Sequence, residues 1–273
     1  MDLNLTSQIE LEHLFSKYQL HACIKQEFVE SGFVDKLEDN EIEILFGLDL
    51  LTQLVLHKRA NIPTLVGMLQ KHFEGYSKPA QVCAEMILKA AEKDFIDWDD
   101  LTQNAIMKWD ISDDVKDQLD LFQYPLPMIE EPQHVTHNRQ TGYVTVKGSI
   151  ILRDNHHEDD VCLDHINRAN SIPLSLNEDI VAFIQNEWKN LDKCKPGEAK
   201  EDYKKRVKAF EKYDRTSRDV LAALMAQGNR FWLTHKYDKR GRTYCQGYHA
   251  TYQGNDWNKA CIQFADAEVL NDE

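Results

Sequence analysis

Phe231-Trp232-Leu233-Thr234-His235-Lys236-Tyr237-Asp238-Lys239-Arg240-Gly241-Arg242-Thr243-Tyr244 is the stretch that decides how this chain is read. An apolar start passes into alternating polar residues, so an extended run is expected, and a regular strand would put Lys236, Asp238 and Arg240 on one face. Arg242 and Tyr244 follow beyond Gly241, whose missing Cβ permits close backbone approach. Two guanidiniums and a tyrosine gathered in so few residues can fork onto phosphates and pack against sugars or bases. For Asp238 the sequence leaves two roles open: orienting one of the arginines, or forming a structural ion pair with Arg240.

Immediately upstream, a helix from about Ser217, with Leu221, Leu224 and Met225 inside, is expected to end near Gly228. Before it lies a strongly charged helix with a thin apolar stripe of Tyr203, Val207 and Phe210, and with Lys204, Lys205, Arg206, Lys208 and Lys212 elsewhere. Such a helix suits an arm whose basic side follows a phosphate backbone. It equally suits a solvated helix laced with internal ion pairs such as Glu201 with Lys205. Ser175 and Glu178 have capping-box spacing ahead of Ile180, Val181, Ile184 and Trp188, so a helix is predicted from near Leu176.

Further back, Pro125, Pro127 and Pro132 forbid continuous helix. Tyr143-Val144-Thr145-Val146 and Ser149-Ile150-Ile151-Leu152 flank Lys147-Gly148, a hairpin pattern. His156, His157, Glu158, Asp159 and Asp160 carry metal-ligating atoms, but adjacent side chains diverge and a polar loop tip accounts for them. The first 118 residues read as a string of helices. Ile9, Leu11, Leu14, Phe15 and Tyr18 give one stripe, Ile42 to Val55 a stronger one, Pro63 opens a third helix, and Ser77 with Pro79 caps a fourth through Lys93. Acidic residues crowd between Asp94 and Asp120 around Trp98 and Trp109. A partner-binding surface is one reading, and two core tryptophans beneath a solvated face is the favoured one.

With 273 residues, 42% of them hydrophobic and 29% charged, the chain has room for one or two globular domains. No apolar run approaches the roughly 20 residues that cross a bilayer. Six cysteines, at 23, 83, 162, 194, 245 and 261, form no Cys-x-x-Cys pair and read as scattered buried thiols. The net charge of -14 conceals a split: residues 189 to 242 hold 16 Lys and Arg against 8 Asp and Glu, a net of +8, which leaves -22 for the rest. A local positive face of this kind attracts polyanions despite the acidic total. Phosphate-cradling glycine loops, Gly-x-Ser-x-Gly and His-Glu-x-x-His are absent from the sequence.

Asp238-Lys239-Arg240-Gly241-Arg242-Thr243-Tyr244, followed by Gln253-Gly254-Asn255-Asp256, Lys259 and Phe264-Ala265, resembles the Asp-x-x-Gly-Arg motif and downstream segment of the single-subunit DNA-dependent RNA polymerases of bacteriophages and mitochondria. The 125–132 prolines, Gly142-Tyr143, Asp164 to Asn170 and the Asn177 to Trp188 segment match in order, so the resemblance covers roughly 124–273. The residue patterns and the resemblance together give a mainly α fold with a small β component: a helical N-terminal domain (1–118) and an extended segment with a hairpin (119–172) from the patterns, and, as the resemblance implies, a thumb-like helical arm (173–227) and the start of a right-hand polymerase palm (228–273). Under this resemblance Asp238, Arg240, Arg242 and Tyr244 contact template and RNA–DNA hybrid, and Lys204, Lys205, Arg206 and Lys208 grip the backbone.

That family holds two Mg²⁺ ions on palm aspartates that lie well downstream of the motif, and this sequence stops about 30 residues after it. No catalytic or metal-binding residue is therefore expected in this chain. Met1 and the polar 270–273 end suggest a true subunit, so the expectation is the smaller N-terminal subunit of a split, heterodimeric phage nucleotidyltransferase in the cytoplasm of the infected host. Its partners would be a large palm-and-fingers subunit carrying the Mg²⁺, template DNA, the transcript and a phage DNA-binding recruitment factor. The rival expectations are a noncatalytic nucleic-acid-binding adaptor or regulator and an acidic helical scaffold.

Overall fold

A computed structural model describes residues 3–189 and 191–266; the 270–273 end lies outside the described residues. Helices dominate, and each strand is three residues long, in agreement with a mainly α fold with a small β component. The chain forms two compact units, one of residues 17–119 and one that joins 3–16 to 120–266.

In the 17–119 unit the Ile44–His57 helix buries Phe46, Leu50, Leu51 and Leu54. The Glu43 carboxylate caps it by accepting the Leu45 and Phe46 amides. Asn61 caps Ile62–Leu69, with Pro63 in the first turn as the sequence predicts. Pro79–Glu92 also has its proline in the first turn, but Lys78 rather than Ser77 occupies the cap and makes no capping bond. Asp49, nearly buried, faces Lys25, Lys71 and His72. Burial pushes its carboxyl up, but hydrogen bonds from Lys25 and His72 outweigh that and hold it low. Trp98 and Trp109 pack half-buried on the core, and Trp109 donates to the Phe95 carbonyl at 2.8 Å. A purely helical reading misses one element: a three-stranded antiparallel sheet with Asn104–Ile106 between Arg59–Asn61 and Asp97–Asp99. Three residues are too few for strand alternation to register in a sequence pattern.

The second unit is organised around Phe231, fully buried with Leu176, Leu221, Leu224 and Trp257. Backbone 231–232 is gripped on both sides: Phe231 exchanges bonds with Leu174 and Trp232 with Met128, all at 2.8 to 2.9 Å. Leu174–Leu176 pairs antiparallel with Ile262–Phe264, and His235–Tyr237 with Thr243–Cys245.

The expected hairpin at 143–152 does not form. Gly148 does not take the positive φ that a tight two-residue turn demands. The amides of the first run are claimed from elsewhere. Glu12, fully buried on the Leu3–Leu14 helix, accepts from Val144 N, Thr145 N, Thr145 Oγ1 and Val146 N at 2.6 to 3.2 Å. In the second run Ile151 bridges to Tyr237 instead. The capping box is likewise replaced. Ser175 lies in a strand, and Asn177 caps a short Glu178–Phe183 helix by accepting from Ile180 N at 3.1 Å. Ile184 is already extended, so Trp188 lies outside the helix. The two helices expected around Val207 and Leu221 are one continuous Lys200–Ala226 helix, which ends at Gly228 with φ 94°. The cysteines are all free, yet Cys162 and Cys194 are exposed rather than buried.

Candidate nucleic-acid interface

The antiparallel pair of His235–Tyr237 with Thr243–Cys245 is closed by a tight turn rather than a continuing strand. Asp238 N donates to Arg242 O and Gly241 N to Asp238 O, each at 3.0 Å, with Gly241 at φ 77° where glycine alone is unstrained. Lys236, Asp238 and Arg240 therefore do not share a strand face. The turn instead wraps around the Asp238 carboxylate. Oδ1 accepts the Arg240 and Arg242 amides at 2.8 and 3.0 Å. Oδ2 accepts Arg242 Nε at 2.6 Å and the Tyr244 hydroxyl at 3.3 Å, with Arg240 Nε farther off at 3.6 Å.

The carboxylate side chain is 8% exposed, whereas those of Arg240 and Arg242 are 65% and 52% exposed. Burial pushes the Asp238 carboxyl up, but the bonds and charge of Arg242 outweigh it, so the carboxyl sits below its ordinary value. Asp238 is thus a buried positioning group, and the guanidiniums are what the turn presents to solvent. Arg242 lies over the Tyr244 ring at 5.5 Å. The 154–160 loop buttresses this turn: His157 Nε2 lies 3.0 Å from Asp238 O, and Asn155 Oδ1 accepts Lys239 N at 2.7 Å. Asp160 accepts the Asn138 amide. Among the described residues no three His, Cys, Asp or Glu side chains gather as a metal site.

The basic helix separates its four predicted residues into two kinds. No residue of Lys200–Ala226 before Thr216 is buried. Arg206, however, is turned inward onto Glu198 through two 2.9 Å bonds, which bring the Glu198 carboxyl down to about 2. Lys205 pairs with Asp202 at 3.2 Å rather than with Glu201. Lys204 and Lys208 are exposed and form no ion pair among the described residues. The structure gathers Asp238, Arg240, Arg242 and Tyr244 into one constellation; of the four predicted helix residues, Lys204 and Lys208 are the two that form no ion pair among the described residues.

Beside Tyr244 opens a cleft of about 440 Å³, lined by Trp188, Tyr213, Tyr248, Gln253, Asn255 and Asn258 among others. Tyr213 ties the long helix to this wall, donating within reach of Tyr248 O at 3.2 Å and Asn258 Oδ1 at 3.1 Å. A relay runs outward from the core nearby: buried Asn170 Oδ1, buried His235 Nδ1 at 2.8 Å, then His235 Nε2 and the OH of the exposed Tyr252 at 2.5 Å. Desolvation lowers His235 to about 4 and pushes Tyr252 up to about 12, so both are neutral at pH 7 and the tyrosine donates. These aromatic and histidine partners come from four separate segments, which hid their convergence. The i, i+4, i+8 row of Tyr244, Tyr248 and Tyr252 was the available signal.

Two curated proteins are similar to this chain in sequence. The chain is 30% identical over 172 residues to a probable DNA-directed RNA polymerase of Agaricus bitorquis, covering 54% of this chain and 16% of that protein. It is 24% identical over 158 residues to a probable DNA-directed RNA polymerase of Gelasinospora sp. (strain G114), covering 54% of this chain and 18% of that one. The chain spans less than a fifth of the length of either relative. No family model matches it. The similarity supports kinship with DNA-directed RNA polymerases.

Proposed function

We propose that this chain is the nucleic-acid-handling N-terminal subunit of a two-polypeptide, phage-type DNA-directed RNA polymerase. The observation that carries the reading is the Asp238 turn, in which one buried carboxylate spends its acceptors on holding Arg242 and Tyr244 outward. A guanidinium fixed in this way reaches a phosphate without first losing its own conformational freedom. Arg240 and Arg242 would bind the template backbone, Tyr244 would pack against a sugar or base, and Lys204 and Lys208 would add diffuse attraction along the arm.

The donor set does not fit Mg²⁺. Asp238 is committed to Arg242, Asp266 to Arg230 through bonds of 2.7 and 3.0 Å, and no three His, Cys, Asp or Glu side chains among the described residues are placed to hold a metal ion. On this reading the metal-binding aspartates, and with them nucleotidyl transfer, belong to a partner chain. The rest of the hand is expected to come from that chain too.

The test is to tag this chain in its native cell, identify what copurifies, and assay ribonucleotide incorporation. A stoichiometric partner bearing two palm aspartates, with Mg²⁺-dependent transcription that needs both chains, is the expected result. Transcription by this chain alone, or stable nucleic-acid binding with no such partner, would favour respectively a self-sufficient enzyme and an adaptor.

A further inference from the structure

The cleft beside Tyr244 has a composition that the turn and the basic helix do not explain. Trp188 and Tyr248, 38% and 45% exposed, stand at the surface although each is packed from behind. Trp188 rests on Phe210 and Tyr213 with ring centroids 5.2 and 5.4 Å apart, and Tyr248 is stacked on Tyr124 at 4.0 Å. Rings supported in this manner lose little freedom when something lies against them.

The polar side chains of the cleft are already engaged. Gln253 accepts from Cys245 N and donates to Thr243 O. Asn258 accepts from Tyr213 and donates to His249 O. Asn255 caps the Asn258 amide and donates to Asn186. What the cleft offers a ligand is therefore π surface with almost no vacant hydrogen-bonding code. Positive charge stands at its edge, because the Arg242 guanidinium lies over the Tyr244 ring that lines it.

We infer that this cleft takes one unpaired base of a single-stranded polynucleotide, held between aromatic faces without regard to base identity, while Arg242 meets the adjoining phosphate. The inference rests on the nucleic-acid reading above and adds the ligand class of a site that reading leaves unused. Stacking is tolerant of sequence because every base has a π face, whereas readout of base edges needs free donors and acceptors. A duplex keeps its bases stacked on one another and so cannot fill the cleft.

The test uses the full chain with 12-nucleotide single strands at fixed salt: oligo-dT, oligo-dA, oligo-dC, oligo-rU and a sugar–phosphate oligomer with no bases. The base-bearing strands are expected to bind within about threefold of one another, and the abasic strand about tenfold or more weaker. Binding should quench tryptophan fluorescence, and Trp188→Phe should abolish that quenching while retaining the fold. In Tyr248→Leu the gap between base-bearing and abasic strands should narrow severalfold. The ratio of oligo-rU to oligo-dT affinity tells whether RNA or DNA is the better occupant.

Equal affinity for the abasic strand, or preference for one base by more than tenfold, overturns the cleft assignment while leaving the polymerase reading intact. Quenching that persists in Trp188→Phe also overturns it. Failure of every strand to bind overturns both.

Discussion

Asp238 Oδ2 lies 2.6 Å from Arg242 Nε, and the carboxylate is buried while the guanidinium remains half exposed. The pair is therefore asymmetric: the acid is internal and the guanidinium faces solvent. On the proposed two-chain function, Arg242→Ala should slow RNA extension by the complex about 10- to 100-fold, the equivalent of losing a charged hydrogen bond. It should leave copurification of the partner unchanged. Asp238→Asn should lower extension as well, because the neutral amide holds the guanidinium less firmly, and its melting temperature should fall with it. Extension assays on the two variants at matched protein stability check both statements.

Lys204 and Lys208 differ from Arg206 in a way that salt exposes. The double variant Lys204→Ala with Lys208→Ala should reduce the slope of log affinity against log salt by about 1.5, since each lost phosphate contact removes 0.7 to 0.9 from it. Arg206→Ala should leave that slope nearly unchanged and instead loosen the 193–206 region, where Arg206 binds Glu198 and the Lys193 carbonyl. Filter binding between 50 and 300 mM salt, with amide exchange of the same region, separates the two behaviours.

Glu12 should act as a structural linchpin. Its carboxylate accepts four bonds from residues 144–146 and one from Gln8, in a site from which water is excluded. Glu12→Ala strands those donors and is expected to destabilise the 120–266 unit by about 3–5 kcal/mol. Glu12→Gln keeps the shape but replaces one acceptor oxygen with a donor, so a smaller loss of about 1–3 kcal/mol is expected. Urea unfolding followed by a probe in the 120–266 unit measures both.

Acid should weaken the same unit through two histidines. His235 and His249 are buried, and desolvation lowers each from 6.5 to about 4 in the folded chain. Above pH 6.5 both are neutral whether folded or unfolded, so they contribute no pH dependence there. Between about 6.5 and 4 the unfolded chain binds protons that the folded chain refuses, and stability falls with pH by up to on the order of 3 kcal/mol per histidine. The melting temperature should fall as pH drops through this window, and His249→Gln should reduce that fall by about half.

The long apolar stripe of 42–55, the Pro63 and Pro79 helix starts and the Gly228 stop were legible because each rests on local periodicity or on backbone chemistry. The hairpin reading of 143–152 failed because β-branched residues record a preference for extended backbone without naming a partner, and Glu12 lies 132 to 134 residues away along the chain. Within the site, Arg240, Arg242 and Tyr244 could be read from one short motif. The inward turn of Arg206 could not, because its charge is indistinguishable in sequence from that of Lys204 or Lys208. The cleft was invisible for a similar reason, since Trp188, Tyr213 and Tyr248 converge only once three separate segments are folded.

The division of the chain into 17–119 and its complement has a topological corollary. The polypeptide leaves one folded body after Ser16 and re-enters it at Asp120, so the 17–119 portion is an insert threaded into its host. A truncation from the front through residue 119 discards Glu12 along with the insert and orphans the backbone donors it serves. An internal excision that splices Ser16 to Asp120 through a short flexible tether keeps that anchor, and is the rational way to ask what the inserted helices contribute to the chain's activity.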